Sequence, residues 1–533
     1  MQIVPKLGTK ARALAIGGAL SALMAGIAHA DDRPVITIAV PQVVNGGVLD
    51  FLADQSLVSQ RIADSIAETM IDFDRQNPEL TTRAALAESW TRIDEDTIEL
   101  KLRPNVKFHS GATLSADDVV FSFSPERFGA VEDGRGVPPE LKAAATRLWS
   151  GISVEKVDDL TVRVNSEKPD PVLEQRMQRL GAEIVSKADY EATATYGDFF
   201  KAPVGTGPFK VAEFRHNELL VLDAHDEYWG GKPAVQQLRF VVVPEGSSRI
   251  NGLLAGEYDF ITDVMPDQIP AIEADDKFEV VGGGAANLRL LVFDKHNGPM
   301  QDPRVRLAMA HAIDRQAIID ALYAGMSRIP AGLQFEAYGD MFISDWTAPE
   351  YNPELAKKLL AEAGYNGETV TYRILNNYYV NQVSTAQILS SMWEAVGVKT
   401  QIEIKENWAQ VNDKAAAPGS GERMIRDLGN SLVFPDPVAT FGNFYCHQGA
   451  IVGTGEWESE VLNEQCDILL TSMDPAVRKA AFRRMLEIAE REDPVYTVLH
   501  ENIMLYGKRK DIQWDWSSLF SMDFRAGNLE IVQ

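Results

Sequence analysis

Five side chains of a type that can do catalysis crowd one segment, "KFHSGATLSADDVVFSFSPERF", Lys107 to Phe128. They are His109, Ser110, Ser115, Asp117 and Asp118. A serine nucleophile, a histidine base and an orienting carboxylate would make a hydrolase. That chemistry requires the histidine to reach a serine while an acid holds its far nitrogen. Nothing in the segment imposes this geometry, and the chain has no G-x-S-x-G elbow. A simpler reading uses every residue. Ser115 caps a helix, Asp117 and Asp118 favour the positive end of its dipole, and Val119, Val120 and Phe123 form its buried face.

Other chemistries are equally unsupported. The chain contains no H-E-x-x-H, no G-x-x-x-x-G-K-[ST] and no EF-hand loop. "GTGPF", Gly205 to Phe209, is a glycine turn before a strand and lacks the helix of a phosphate loop. The eight histidines are scattered. No metal site, cofactor or catalytic residue is expected.

The N-terminus reads as a secretory leader. Lys6, Lys10 and Arg12 precede an apolar run from Ala13 to Ile27, and Ala28-His29-Ala30 is a small-x-small cleavage site. Cleavage is expected after Ala30. No later stretch approaches the ~18 apolar residues of a membrane helix, so the mature chain is expected to be soluble, exported to the periplasm and not inserted in the membrane. About 500 residues then remain, enough for two or more domains with full cores.

The chain carries 51 Lys and Arg against 77 Asp and Glu, a net charge of −26. Removing the three leader cations leaves 48 against 77, or −29. Phosphates repel such a chain, which disfavours nucleic acid as a partner. The charge also favours a monomer. The two cysteines, Cys446 and Cys466, suggest a disulfide in an exported protein. Two unpaired buried thiols are the alternative.

The elements are mixed. Pro34–Gln42 and Asp96–Phe108 alternate like strands. Ser153–Ser166 and Gly207–His225 read as hairpins, and Val235–Pro244 as a buried strand. Glu245–Glu257, Pro303–Gly325, Asn352–Gly364, Asn381–Val398 and Pro475–Asp493 carry helical spacing with capping signals. The fold class is therefore α/β with several sheets.

Ordered segments across almost the whole mature chain resemble the extracytoplasmic solute-binding proteins of family 5, the peptide/nickel group serving ABC transporters. Leu86–Phe123 is similar to the family's signature region. "PVGTGPFKV" (from Pro203), "DEYWGGKP" (from Asp226), "INGLLAGEYDF" (from Ile250), "FDKHNGPMQDPRVRLAMAHAIDR" (from Phe293), "NPELAKKLLAEAGY" (from Asn352) and "PDP" (from Pro435) follow in order. The resemblance implies a two-lobed type II periplasmic-binding fold. Lobe one would comprise 31–283 and 505–533, with an inserted subdomain at about 76–202. Lobe two would be 284–504, and the crossings near Gly284 and Met504 would form the hinge. Peptide-binding members similarly carry a disulfide after the Asp-Pro segment.

The resemblance also implies function: an organic solute held between the lobes and handed to a membrane permease, with no bond made or broken. Gln42 and Asn45 at the end of the first strand are candidate contacts. So are Asn376, Asn377, Tyr378, Tyr379 and Asn381 before a helix, although a polar loop with an Asn cap explains that stretch as well. Trp408 sits where members often place a ligand-facing aromatic; a core tryptophan is the alternative. Arg426 to Pro437, including Asn430, Val433, Phe434 and Asp436, matches the pocket-lining strand and loop. His500 lies near the second crossing.

Peptide-binding members place an aspartate for the peptide α-amine three residues before the acid of the acid-Pro pair. Here that position is Val433, and the family's tryptophan position holds Asn430. A buried ammonium without a carboxylate would cost several kcal/mol. Arg426 and Asn430 instead suggest an anionic or polyol-bearing solute, such as an opine, a sugar conjugate or a non-classical peptide. Ordinary peptides and nickel chelates remain alternatives, with an exported hydrolase behind them. N-terminal sequencing of the exported chain is expected to begin at Asp31. A chain still beginning at Met1 would contradict the leader.

Overall fold

The computed structural model describes residues 32–532 except 78, 129–138, 179, 377, 413–422 and 448; the leader and Asn377 lie outside the described residues. A ten-stranded mixed sheet forms the frame. At its middle, two long antiparallel strands, Phe278–Phe293 and Tyr496–Arg509, run side by side. On one side lie Phe260–Ile261, Val35–Val40, Gln237–Val242, Leu219–Ala224 and Phe209–Arg215. On the other lie Ile425–Ser431, Val370–Leu375 and Thr400–Lys405.

Residue type explains these strands. Ile36, Ile38 and Val40 are buried on one face of Val35–Val40, which pairs in parallel with both Gln237–Val242 and Phe260–Ile261. Both expected hairpins form, as Ile152–Asp158 with Thr161–Ser166 and as Phe209–Arg215 with Leu219–Ala224. The first belongs to a separate four-stranded sheet with Ala87–Arg92 and Thr97–Leu102. That sheet has its own core, around Leu100, Phe108, Phe121 and Trp149.

The pairing of the two long strands is irregular at two places, between Gly284 and Leu288 and between Arg289 and Leu290. Register runs evenly from Phe278↔Arg509 to Gly284↔Ile503, then slips before Leu288↔Glu501. Gly282 has φ +123°, and a Cβ there would stand 2.0 Å from the Met504 carbonyl oxygen. Only glycine permits that approach of the two backbones.

The segment with five reactive side chains is structural. Asp118 accepts from the Ser115 backbone N–H at 3.0 Å and its hydroxyl at 2.8 Å, closing the start of helix Ala116–Ser122. The His109 ring donates from Nε2 to the Gly207 carbonyl at 3.0 Å and accepts the Gly205 N–H at 3.4 Å. Burial pulls its pKa down to about 3, so it stays neutral. Ser110 donates to Asp189 at 2.7 Å, away from this histidine's hydrogen bonds.

One helical expectation divides. Pro303–Gly325 forms two helices, Pro303–His311 and Arg315–Tyr323. Asp314 restarts the helix by accepting the Ala317 N–H at 3.0 Å. The break also lets the buried Arg315 donate to the Val498 and Pro349 carbonyls. Asn352 and Gly364 bound helix Pro353–Ala363 as expected. Asn381 instead takes a left-handed conformation before helix Gln382–Ala395, and its side chain donates to the Leu322 carbonyl at 2.7 Å.

Cys446 and Cys466 are bonded, with Cα atoms 5.8 Å apart, and pack in a core with Phe441, Leu462 and Leu469. Closing a loop of sequence separation 20 restricts the unfolded chain. The double replacement Cys446→Ala, Cys466→Ala is therefore expected to cost about 3 kcal/mol, read as a lower urea midpoint than the oxidised parent's.

Candidate functional site

Two cavities of about 760 and 310 Å³ open between the two sides of the sheet. Asn45, Leu57, Tyr378, Tyr379 and Trp408 line both, so the aromatic cluster forms a partition between a large and a small chamber. Tyr378 meets Trp408 edge to face at 5.2 Å and Tyr379 at 4.9 Å. Such pairs present ring faces and edges to a solute at little entropic cost.

A buried charge pair holds this partition. Arg289 and Asp427, both with fully buried side chains, form a two-pronged pair across neighbouring strands. Burial works against the Arg289 charge, yet Asp427 keeps its pKa above the ordinary value. Asp427 also accepts from Gln382 Nε2 at 3.1 Å. The Gln382 amide oxygen in turn takes the Tyr378 and Tyr379 backbone N–H groups at 3.0 and 3.3 Å. The Arg289 guanidinium lies 4.1 Å from the Tyr379 ring centroid. The Tyr379 hydroxyl accepts the Gly429 N–H at 2.6 Å, where a Cβ would stand only 2.8 Å from that hydroxyl.

The opposite wall comes from the first strand and the helix after it. Gln42 donates to the Val44 carbonyl at 2.9 Å and to Asn45 at 3.1 Å. Asp54 accepts the Asn45 N–H at 2.8 Å and the Ser56 N–H at 3.1 Å. Ser56 caps helix Leu57–Ile66, which carries Arg61 to the large chamber.

Gln42, Asn45, Asn376, Tyr378, Tyr379 and Trp408 all line the large chamber, and Val433 lines the small one beside Ser431, Asn443 and Phe444. The remaining expected residues among the described ones line neither. Arg426 is 4% exposed and forms a two-pronged pair with buried Glu456 at 2.6 and 2.9 Å. Asp436 accepts from Arg478 at 2.7 Å. Phe434 is core, and Asn430 is buried, its side chain without a hydrogen-bond partner among the described residues. His500 is buried against Tyr323 at 4.4 Å, with burial lowering its pKa to about 3.

Arg426 therefore offers no free charge to an anionic solute, because its guanidinium already has its carboxylate. The cations on the chamber walls are Arg61, Arg249 and Arg147, which sequence reasoning missed. Arg61 had one visible signal: it interrupts the buried face of a short amphipathic helix.

A wide sheet crossed by two long strands, with a chambered cleft between its halves, is the architecture of two-lobed periplasmic binding proteins. The fold matches a DppA periplasmic binding protein from Helicobacter pylori, in complex with peptide STSA, with TM-score 0.82 at 23% identity, covering 94% of this chain and 99% of that one. It also matches MoaA from A. tumefaciens R10, in complex with mannopinic acid, with TM-score 0.80 at 23% identity over 94% and 100% of the two chains. By sequence, the chain belongs to the bacterial extracellular solute-binding proteins, family 5, whose middle region it matches over residues 81–450. Heme-binding protein A of Haemophilus influenzae is 30% identical over 66% of this chain and 67% of its own length. The chain is thus an extracytoplasmic solute-binding protein that delivers its ligand to an ABC importer. No described helix is long and apolar enough to cross a membrane.

Replacing Asp427 by Asn strands a buried guanidinium. The expected loss is roughly 3–5 kcal/mol of stability, larger than for any single replacement on the chamber surface. Urea denaturation of Asp427→Asn beside Asn376→Ala checks the order.

Proposed function

We propose that the two chambers together hold one polar organic solute other than an ordinary peptide: an opine, a sugar conjugate or a non-classical peptide. The observation that carries this reading is Val433 on the wall of the small chamber. By resemblance, this is where peptide-binding members place the aspartate for the α-amine. A methyl-lined wall there cannot compensate an ammonium removed from water. MoaA, similar in fold, is bound to mannopinic acid, so this architecture accommodates a solute of such chemistry.

The lobes are taken to be 31–283 with 505–533, and 284–504, with the inserted subdomain at about 76–202. The slip in register after Gly284 supports a hinge there. A solute touching Gln42 and Asn45 on one side and Tyr378 and Trp408 on the other makes its full set of contacts only when the lobes are closed. It therefore shifts the population to the closed form by its differential affinity. The permease reads that form, and no chemical step is needed. The chain acts as a monomer in the periplasm, after removal of residues 1–30.

One observation favours ordinary peptides as the second reading. Asp54 lines the same chamber as Val433 and could receive an α-amine in place of the missing aspartate. Mass spectrometry of the solute retained through gentle purification is expected to show an intact polar molecule without a free α-amine, unchanged after long incubation. Trp408→Ala is expected to weaken its binding 10- to 100-fold, about 1.4–3 kcal/mol. Retention of dipeptides, lost in Asp54→Asn, would establish the second reading instead. Turnover of the solute would contradict a binding-only role.

A further inference from the structure

One wall of the large chamber carries two buried guanidinium groups and a helix start. Helix Gly246–Leu254 starts on its wall, where Pro244, Glu245, Gly246 and Arg249 are exposed to the cavity. The N-cap residue Glu245 makes no side-chain capping bond, which leaves the positive end of this helix open. Arg249 is 5% exposed. It donates to neutral backbone carbonyls: Thr262 at 3.1 Å, Val243 at 2.9 Å, Pro244 at 2.8 Å and Asp263 at 3.4 Å.

Arg61 stands beside it, also 5% exposed and also on the chamber wall. Its Nη2 pairs with the Asp263 carboxylate at 3.0 Å. Its Nε and Nη1 have no hydrogen-bond partner among the described residues. Of the two buried guanidinium groups, only Arg61 is paired with the half-buried Asp263 carboxylate, while Arg249 bonds backbone carbonyls alone. Glu245 and Glu406 also border the chamber but are exposed, so water screens them. The imbalance registers on the groups themselves. Burial lowers the Arg249 pKa, against the opposing pull of Asp263 and, more weakly, of Glu245, with Arg61 adding to the lowering. Burial works against the Asp263 charge, but the two arginines hold its pKa below the ordinary carboxylate value.

We infer that Arg61, Arg249 and the open start of helix Gly246–Leu254 form a subsite for an anionic oxygen group of the solute, a carboxylate or a phosphate. Asp263 positions Arg61 for it. A buried cation with unmet N–H donors gains most from a charged acceptor, because the hydrogen bond is charge-assisted and the surroundings are poor in water. The inference rests on the reading that the chambers hold the solute, and it adds to that reading a required negative charge at one end.

The test uses dialysed full-length mature chain and three defined probes: succinate, its neutral diamide succinamide, and inorganic phosphate. Succinate or phosphate is expected to bind measurably by calorimetry and to raise the melting temperature, with succinamide inert. The two anions separate the carboxylate source from the phosphate source. Arg61→Gln is expected to weaken anion binding at least tenfold, while Lys357→Gln, on an exposed helix, leaves it within twofold. Equal behaviour of the anions and succinamide on the parent chain would overturn the subsite. So would a folded Arg61→Gln that binds within twofold of the parent. If Arg61→Gln does not fold, the comparison of succinate with succinamide on the parent decides. If the retained natural solute binds the parent and Arg61→Gln alike, the subsite fails and the solute-binding reading stands. If the retained solute binds outside the chambers, unaffected by Trp408→Ala, the reading of the chambers fails as well.

Discussion

The cleft depends on the buried ion pair between Arg289 and Asp427. A charge removed from water is tolerated only when its partner and remaining hydrogen bonds are fixed in place. Here the requirement ties four elements together: the long strand carrying Arg289, the strand carrying Asp427, the helix that begins at Gln382, and the Tyr378–Tyr379 turn. None can shift alone without leaving a charge or an amide unsatisfied. The aromatic partition is therefore rigid before any solute arrives, and less ordering entropy is lost on binding.

Rigidity on that side contrasts with the glycine crossing. At Gly282 the two long strands approach too closely for a side chain, and their register slips after Gly284. The ladder there pairs fewer residues of the two strands than an even register would. The same pair of strands thus carries the Arg289 ion pair a few residues after its glycine crossing.

Much of this was legible in the sequence, for reasons that differ by residue. Alternation marked Val35–Val40 and both hairpins, because a half-buried strand must alternate. Asn352 and Gly364 marked a helix by cap chemistry that is purely local. Tyr378, Tyr379 and Trp408 could be placed in the cleft only through the family resemblance. Arg426 and His500 could not be read correctly, because their surroundings are distant in the chain. Glu456, which neutralises Arg426, lies 30 residues on, and Tyr323, which covers His500, lies on a helix far upstream. The break at Asp314 was hidden for a similar reason: helical periodicity continues through it, while the buried carbonyls that draw Arg315 inward belong to other elements.

Overall charge and local charge point in opposite directions here, and distance decides between them. A net charge of −26 repels an approaching anion, but at physiological salt this field decays within about 8 Å. On the wall of the large chamber stand the buried cations Arg61 and Arg249 and the half-buried Asp263, and charges held out of water are screened less than those at the surface. An anionic group inside the chamber faces these two guanidinium groups and a helix start, beside the exposed Glu245 and Glu406. The acidity of the chain thus governs the rate of encounter and its salt dependence, while the affinity of the cleft follows from the few buried charges that line it.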